Sequence, residues 1–163
     1  MIHFEMLEHQ HWPQVKQIYE EGIQTGHATF ETHSPDWELW NENHLQHSRL
    51  IALEGETIAG WAALSPVSRR HVYAGVAEVS VYVSKDHRGK KVGSSLLQEL
   101  IEHSEQNNMW TLQASIFREN LSSLKIHTNN GFRIIGYREK IGQINGVWRD
   151  TLSLERRSIS IGI

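Results

Sequence analysis

The chain has no cysteine. That excludes disulfides, thiolate metal sites and a thiol nucleophile, so any acyl transfer has to be direct or use another nucleophile. No apolar run approaches the roughly 20 residues a membrane-spanning helix needs. The first residues, Met1-Ile2-His3-Phe4-Glu5, lack the basic and apolar segments of a secretory signal. A cytoplasmic protein without a membrane partner is expected. Charge of one sign is also lacking: 16 Lys and Arg against 19 Asp and Glu leave a net charge of −3. That balance argues against general nucleic-acid binding. With only 3 prolines and no low-complexity tract, nothing marks an interdomain linker, and residues 1–163 are expected to form one domain. Histidine is abundant, with seven before residue 50 (His3, His9, His11, His27, His33, His44 and His47), but none falls in HExxH or another ligand spacing. No metal is expected.

What is present is an ordinary globular composition, 39% hydrophobic and 21% charged, in a chain long enough to bury a core. Its most informative stretch is residues 78–97. Val79-Ser80-Val81-Tyr82-Val83 is β-branched and aromatic and reads as a strand. Arg88-Gly89-Lys90-Lys91-Val92-Gly93-Ser94 is short, basic and glycine-bearing. Val92, Leu96, Leu97, Leu100 and Ile101 then recur at helical spacing. Strand, glycine loop and helix start make an anion site, because free N–H groups and the helix dipole meet there. Its natural guest is a phosphate or pyrophosphate; a solvated basic turn is the plain alternative. Neither the P-loop spacing nor the three-glycine dinucleotide fingerprint is present.

The rest of the chain reads as alternating elements. Ile2 to Leu7 suits a short strand, and Trp12, Val15, Ile18 and Tyr19 a helix running to about Gly22. Thr25 to Thr32 is a linker whose Phe30 either plugs the core or lines a pocket. Ser34-Pro35-Asp36 signals a helix start with Ser34 as N-cap, continuing through Trp37, Trp40, His44 and Leu45 to near Ser48. Leu50–Leu53 and Ile58–Leu64 read as a hairpin, followed by a loop from Pro66 to Gly75. Trp110–Phe117 is a strand, Leu121–Asn129 a helix stopped by Asn130-Gly131, and Phe132–Ile141 and Val147–Leu154 are strands joined by a turn around Gly142 to Gly146. Residues 157–163 are expected to be a mobile tail. The order implies an α/β (α+β) fold, a mixed, mostly antiparallel sheet of about seven strands flanked by about four helices.

Two motifs carry a family resemblance. Arg88-x-x-Lys91-x-Gly93 after the central strand resembles the pyrophosphate loop of the GNAT superfamily of acyl-CoA-dependent N-acetyltransferases, with Lys91 at a position usually glycine. The segment from Asn120 through His127 to Gly131-Phe132 resembles a second stretch of that superfamily. Within it the chain is similar to phosphinothricin and methionine sulfone/sulfoximine N-acetyltransferases, through Ala28-Thr29-Phe30-Glu31-Thr32, Trp37, Tyr73, Glu78 with its strand, His127 and Gly146-Val147-Trp148-Arg149-Asp150. In those enzymes an arginine often follows the Tyr73 position; here it is Ala74, with Arg69 and Arg70 upstream.

The resemblance implies acetyl-CoA as co-substrate, a small amino acid analogue as acceptor, and a homodimer. It implies Glu78 as general base and His127 as proton or hydrogen-bond donor to the leaving thiolate. For the coenzyme it implies Val81, Tyr82 and Val83, the loop Arg88, Gly89, Lys90, Lys91, Val92, Gly93 and Ser94, and also Asn120 and Asn129. For the acceptor it implies Phe30, Arg69, Arg70, His71, Val72, Tyr73 and Asn120. Plain structural roles stand beside these: Glu78 as an ion-pair partner of Arg69 or Arg70, His127 as a satisfied helix residue, Asn120 as a helix N-cap. An arginine pair suits a carboxylate-bearing acceptor rather than a polycation. Two further functions stay open, acetylation of a peptide or protein and non-catalytic acyl-CoA sensing.

Overall fold

The computed structural model describes all residues from Met1 to Ile163. In chain order the elements are β1 (Ile2–Met6), α1 (Trp12–Gln24), α2 (Trp37–Asn43), β2 (Leu50–Glu54), β3 (Thr57–Pro66), β4 (Val76–Val83), α3 (Val92–Gln106), β5 (Thr111–Phe117), α4 (Leu121–Asn129), β6 (Arg133–Ile144) and β7 (Val147–Arg157). The strands form one sheet in the order β1-β2-β3-β4-β5-β7-β6, antiparallel except where β4 meets β5. The expected seven strands and four helices are all present.

Alternation along β4 divides the molecule into two layers. Ala77 and Val79 join a core with α3, whose Leu96, Leu97 and Leu100 are fully buried. Burial of each such side chain contributes about 1.5–3 kcal/mol. Residues 78, 80 and 82 face the other way, where Tyr82 packs with Val15, Ile18 and Tyr19 of α1, Trp40 of α2 and Trp61 of β3. Trp61 and Tyr82 stack at 4.7 Å, and Tyr19 and Tyr82 at 5.0 Å. A Cβ on Gly22 would fall 2.6 Å from the Tyr82 ring, so α1 can lie close only because residue 22 is glycine.

Three boundaries differ from expectation. The N-cap of α2 is Asp36, whose carboxylate accepts from the Leu39 N–H at 2.9 Å; Ser34 instead donates to Glu20. The same helix ends at Asn43 rather than near Ser48, because the buried Arg49 side chain turns beneath it and donates to carbonyls of Asn41, His44 and Leu45. The last hairpin turns on Asn145-Gly146 alone, both with positive φ, the geometry of a two-residue type I′ turn. The segment expected to be a mobile tail is tethered: Ser158 donates its N–H to Trp110 and its hydroxyl to Glu105, and Arg157 donates to the carbonyls of Ile161 and Gly162.

Candidate active site

The sheet opens at its centre. β4 and β5 pair only through Val76–Glu78 and Thr111–Gln113. Beyond Glu78, β4 stays on β3 to Val83 while β5 follows β7 to Phe117, so the two strands diverge. An antiparallel ladder exchanges bonds at every second residue. The Ser84 N–H donates to Ala59 at 2.9 Å, which sets the phase: Tyr82, Ser80 and Glu78 bond toward β3, and the main-chain groups of Val79, Val81 and Val83 face the gap. Arg88 Nε accordingly reaches the Val83 carbonyl at 3.4 Å. An extended polar ligand can lie in this gap as an added strand. Val81 and Val83 therefore turn main-chain groups toward the gap. The main chain of Tyr82 pairs with Trp61 instead, and its ring is in the aromatic stack.

The basic loop follows directly. His87 is buried with Nδ1 2.6 Å from Ser84 Oγ and Nε2 3.0 Å from Glu54 Oε2, which ties the loop to β2. Arg88, Gly89, Lys90 and Lys91 are exposed. Lys91 is the N-cap residue of α3 with φ +65°, so a lysine takes the left-handed conformation that glycine adopts freely. This costs about 1–2 kcal/mol and keeps the path a glycine would give. The first intrahelical bond runs from Ser95 N–H to Lys91 C=O, and no side chain caps the helix. The N–H groups of Val92, Gly93 and Ser94 are thus free of intrahelical partners. The Val92 side chain itself is core. A Cβ on Gly93 would come within 3.1 Å of Ile126 and 3.3 Å of Val83, so glycine lets α3 begin against α4 and β4. Ser94 Oγ accepts from Asn130 at 3.1 Å; Asn129 is exposed and makes no such link.

Glu78 stands where the strands part. It shares a cavity of about 200 Å³ with Gln113 and Ser115 of β5, Ile135 and Arg138 of β6 and Ser153 of β7. Its side chain keeps access to water, but the surrounding protein withdraws enough solvent to raise the carboxyl above its usual range, and the positive charge of Arg138 opposes that rise. No carboxylate–cation contact within ion-pair distance involves Glu78. Arg69, Arg70, His71, Val72 and Tyr73 lie on the exposed β3–β4 loop, Arg70 above the Tyr73 ring at 5.4 Å. None of the five lines the cavity. The cation facing Glu78 is Arg138, from a strand whose register with β7 only the folded sheet reveals.

His127 is 5% exposed at the end of α4 and meets Phe132 edge-on. Its Nδ1 lies 2.7 Å from the Ser123 carbonyl, so Nδ1 carries the proton. Burial lowers its pKa, with the Ser123 bond opposing. The neutral ring presents an acceptor at Nε2. Asn120 is an N-cap: Oδ1 accepts from Ser123 N–H at 3.2 Å while Nδ2 donates to the His27 carbonyl at 3.0 Å.

The α1–α2 linker is pinned over this end of the sheet. Phe30 is exposed but packs edge-on against Phe117 at 4.7 Å and leaves no room for a Cβ on Gly142, whose nearest approach would be 2.7 Å; it is not among the residues around the Glu78 cavity. Arg149 of β7, unrecognised in the sequence as a structural group, donates to the Gly26 carbonyl (2.7 Å), to His27 Nδ1 (2.8 Å) and to Glu119 (3.3 Å), and stacks over Phe117. Arg149→Met is expected to release the linker, seen as faster amide exchange in residues 25–33 with α3 unchanged. Unaltered exchange there would show that Phe30 and the Asn120–His27 bond hold it without Arg149.

Comparison with known proteins places the chain in a family. Residues 12–132 match the model of the acetyltransferase (GNAT) family. YwnH of Bacillus subtilis, provisionally named a phosphinothricin acetyltransferase, is 31% identical over 93% of this chain and 96% of its own length. An L-methionine sulfoximine/L-methionine sulfone acetyltransferase of Pseudomonas aeruginosa is 36% identical over 57% of this chain and 54% of its own. Among solved structures, a ribosomal-protein-alanine N-acetyltransferase from Brucella melitensis superposes with TM-score 0.89 at 27% identity, covering 96% of this chain and 99% of that one. A phosphinothricin acetyltransferase from Sinorhizobium meliloti in complex with acetyl-CoA shares the fold, with TM-score 0.85 at 24% identity over 99% of this chain and 95% of that one. The chain belongs to the GNAT acetyltransferase family.

Proposed function

From that membership, we propose that the protein transfers an acetyl group from acetyl-CoA to the α-amine of a small amino acid analogue of the phosphinothricin or methionine sulfoximine/sulfone type. The observation that carries the reading is the placement of Glu78 at the mouth of the β4–β5 gap. The free main-chain groups of Val81 and Val83 suit the pantetheine arm. The free N–H groups of Val92, Gly93 and Ser94, with Arg88, Lys90 and Lys91 beside them, suit the pyrophosphate.

An α-amine with a pKa near 8 is largely protonated at neutral pH. Glu78 takes that proton, directly or through water, and its raised pKa makes it a better base than a free carboxylate. The neutral nitrogen attacks the thioester carbonyl, the new C–N bond forms and the C–S bond breaks; the second proton shed by the nitrogen passes to the departing sulfur through water, and Glu78 returns its own proton to solvent. The thiolate leaves without a protein acid, as befits a thiol with a pKa near 8.5. The test is thiol release from acetyl-CoA with phosphinothricin, methionine sulfoximine, methionine sulfone, ordinary amino acids and short peptides. Turnover on the first three supports the reading; turnover on peptides alone replaces it with the peptide reading, and binding of acetyl-CoA without turnover replaces it with a sensor.

Removing the loop charges gives a separate check. The triple change Arg88→Ala, Lys90→Ala, Lys91→Ala is expected to weaken acetyl-CoA binding roughly tenfold at low salt, less at high salt because exposed charges are screened. Calorimetric titration at two ionic strengths reads this; a salt-independent affinity would place the pyrophosphate elsewhere. A second copy of the chain is the expected partner, and the exposed Ile135, Tyr137, Ile141, Val147 and Trp148 of β6 and β7 support it. Sedimentation as a monomer would remove it.

A further inference from the structure

We infer that Arg138 is the carboxylate-binding residue of the acceptor site, so that the cavity beside Glu78 takes a zwitterionic amino acid, its amine toward Glu78 and its carboxylate on the Arg138 guanidinium. The inference rests on the acetylation of an amine at Glu78 proposed above.

The sheet places the two charges on one face. Glu78 of β4 lies opposite Gln113 of β5, and Gln113 opposite Glu155 of β7. Cross-strand neighbours share a face, so Glu78, Gln113 and the adjacent Ser115–Ser153 pair floor the cavity. Arg138 lies opposite Thr151 on β7, two residues from Ser153, and its Nε donates to Ser153 Oγ at 3.1 Å. That bond orients the guanidinium over the floor.

The terminal nitrogens of Arg138 are unspent. The neighbouring arginines of this half of the sheet are each matched: Arg133 with Glu155, Arg149 with Glu119, Arg156 with Glu105, and Arg157 with carbonyls of the tail. Arg138 has no carboxylate partner although Glu78 lines the same cavity. A cation and an anion face each other across about 200 Å³ without closing into a pair. That spacing of charge complements an ammonium and a carboxylate on one small molecule. It disfavours a polyamine, whose second cation would meet Arg138, and a peptide N-terminus, whose α-carboxyl is an amide. Arg69 and Arg70, the pair expected from the sequence to do this work, lie on the exposed loop outside the cavity.

The experiment compares methionine sulfone with its carboxamide as acceptors in the wild-type protein, Arg138→Met and Arg138→Lys. The wild type is expected to prefer the acid. Arg138→Met should raise KM for the acid roughly 10–100-fold, the scale of losing a charge-assisted hydrogen bond. KM for acetyl-CoA should stay within about twofold. Because loss of the Arg138 charge also lifts the Glu78 pKa for both acceptors, the deciding readout is the acid-to-carboxamide ratio of kcat/KM above the acid limb, which should fall roughly 10–100-fold. Arg138→Lys should recover part of the preference. Retained carboxamide turnover shows the variant is folded. An acid-to-amide preference that survives Arg138→Met overturns the assignment and leaves the acetylation reading intact. Loss of both activities together in Arg138→Met also overturns it, in favour of a structural role. A wild type that acetylates neither compound overturns both.

Discussion

Glu78→Gln is expected to lower kcat by roughly 10²–10⁴-fold, the range a positioned general base contributes, with the affinity for acetyl-CoA unchanged. Glutamine keeps the volume and the hydrogen-bonding reach but cannot accept the proton. Glu78 sits at the last paired position of β4 against β5, where the gap begins, and none of the main-chain groups assigned to the coenzyme belongs to it. Coenzyme binding therefore has no reason to change, and calorimetric titration separates the two effects. The pH profile adds a sign. Burial raises the pKa of Glu78 more than Arg138 lowers it. The active form is the carboxylate, so kcat/KM falls as pH drops through that raised pKa, and the acid limb lies above the usual carboxylate range. In Glu78→Gln this limb disappears, leaving dependence on the acceptor amine. A loss of less than about tenfold with the acid limb intact would mean that the amine loses its proton to bulk water and that Glu78 serves binding.

The strand that Glu78 heads and the glycine-bearing basic loop it runs into were legible in the sequence, whereas Glu78 itself was singled out by the family resemblance. Both pieces are local, and the fold kept both. Periodicity likewise located α3, since Val92, Leu96, Leu97, Leu100 and Ile101 form one buried stripe. The acceptor side was less legible. Arg138 is one of several charges on an exposed strand with no clean alternation, and only pairing with β7 brings it to Ser153 and the cavity. Arg69 and Arg70 drew attention because they are adjacent in sequence, which says nothing of the direction a loop takes. Local signals also erred at α2, where proline after serine resembles a helix start and Asp36 nevertheless caps. The end of that helix is set by a residue six positions past it.

That residue carries the largest expected loss of stability. Arg49→Met should destabilise the protein by about 1–3 kcal/mol, the scale of leaving buried acceptors without their donor. Arg49 is 4% exposed and donates to the carbonyls of Leu45 (2.8 Å), His44 (3.0 Å) and Asn41 (3.4 Å), and to Asn41 Oδ1. Its guanidinium also lies 5.1 Å from the centre of the Trp40 ring. Methionine fills the space of the stem but leaves these oxygens without a donor, and an unsatisfied buried acceptor costs about 1–3 kcal/mol. Arg49→Lys restores charge but not the planar fork, and should fall between. Urea unfolding reads the difference, and a loss under about 1 kcal/mol in Arg49→Met would show that α2 closes its own carbonyls. The effect reaches the site through packing. Trp40 meets Trp61 edge-on at 5.6 Å, and Trp61 stacks on Tyr82, four residues along β4 from Glu78. A chain of three aromatic rings thus supports the face of the strand that carries the base. Arg49→Met at a temperature where it is still folded should therefore lose activity before it loses secondary structure, with thiol release and far-ultraviolet dichroism followed on one sample.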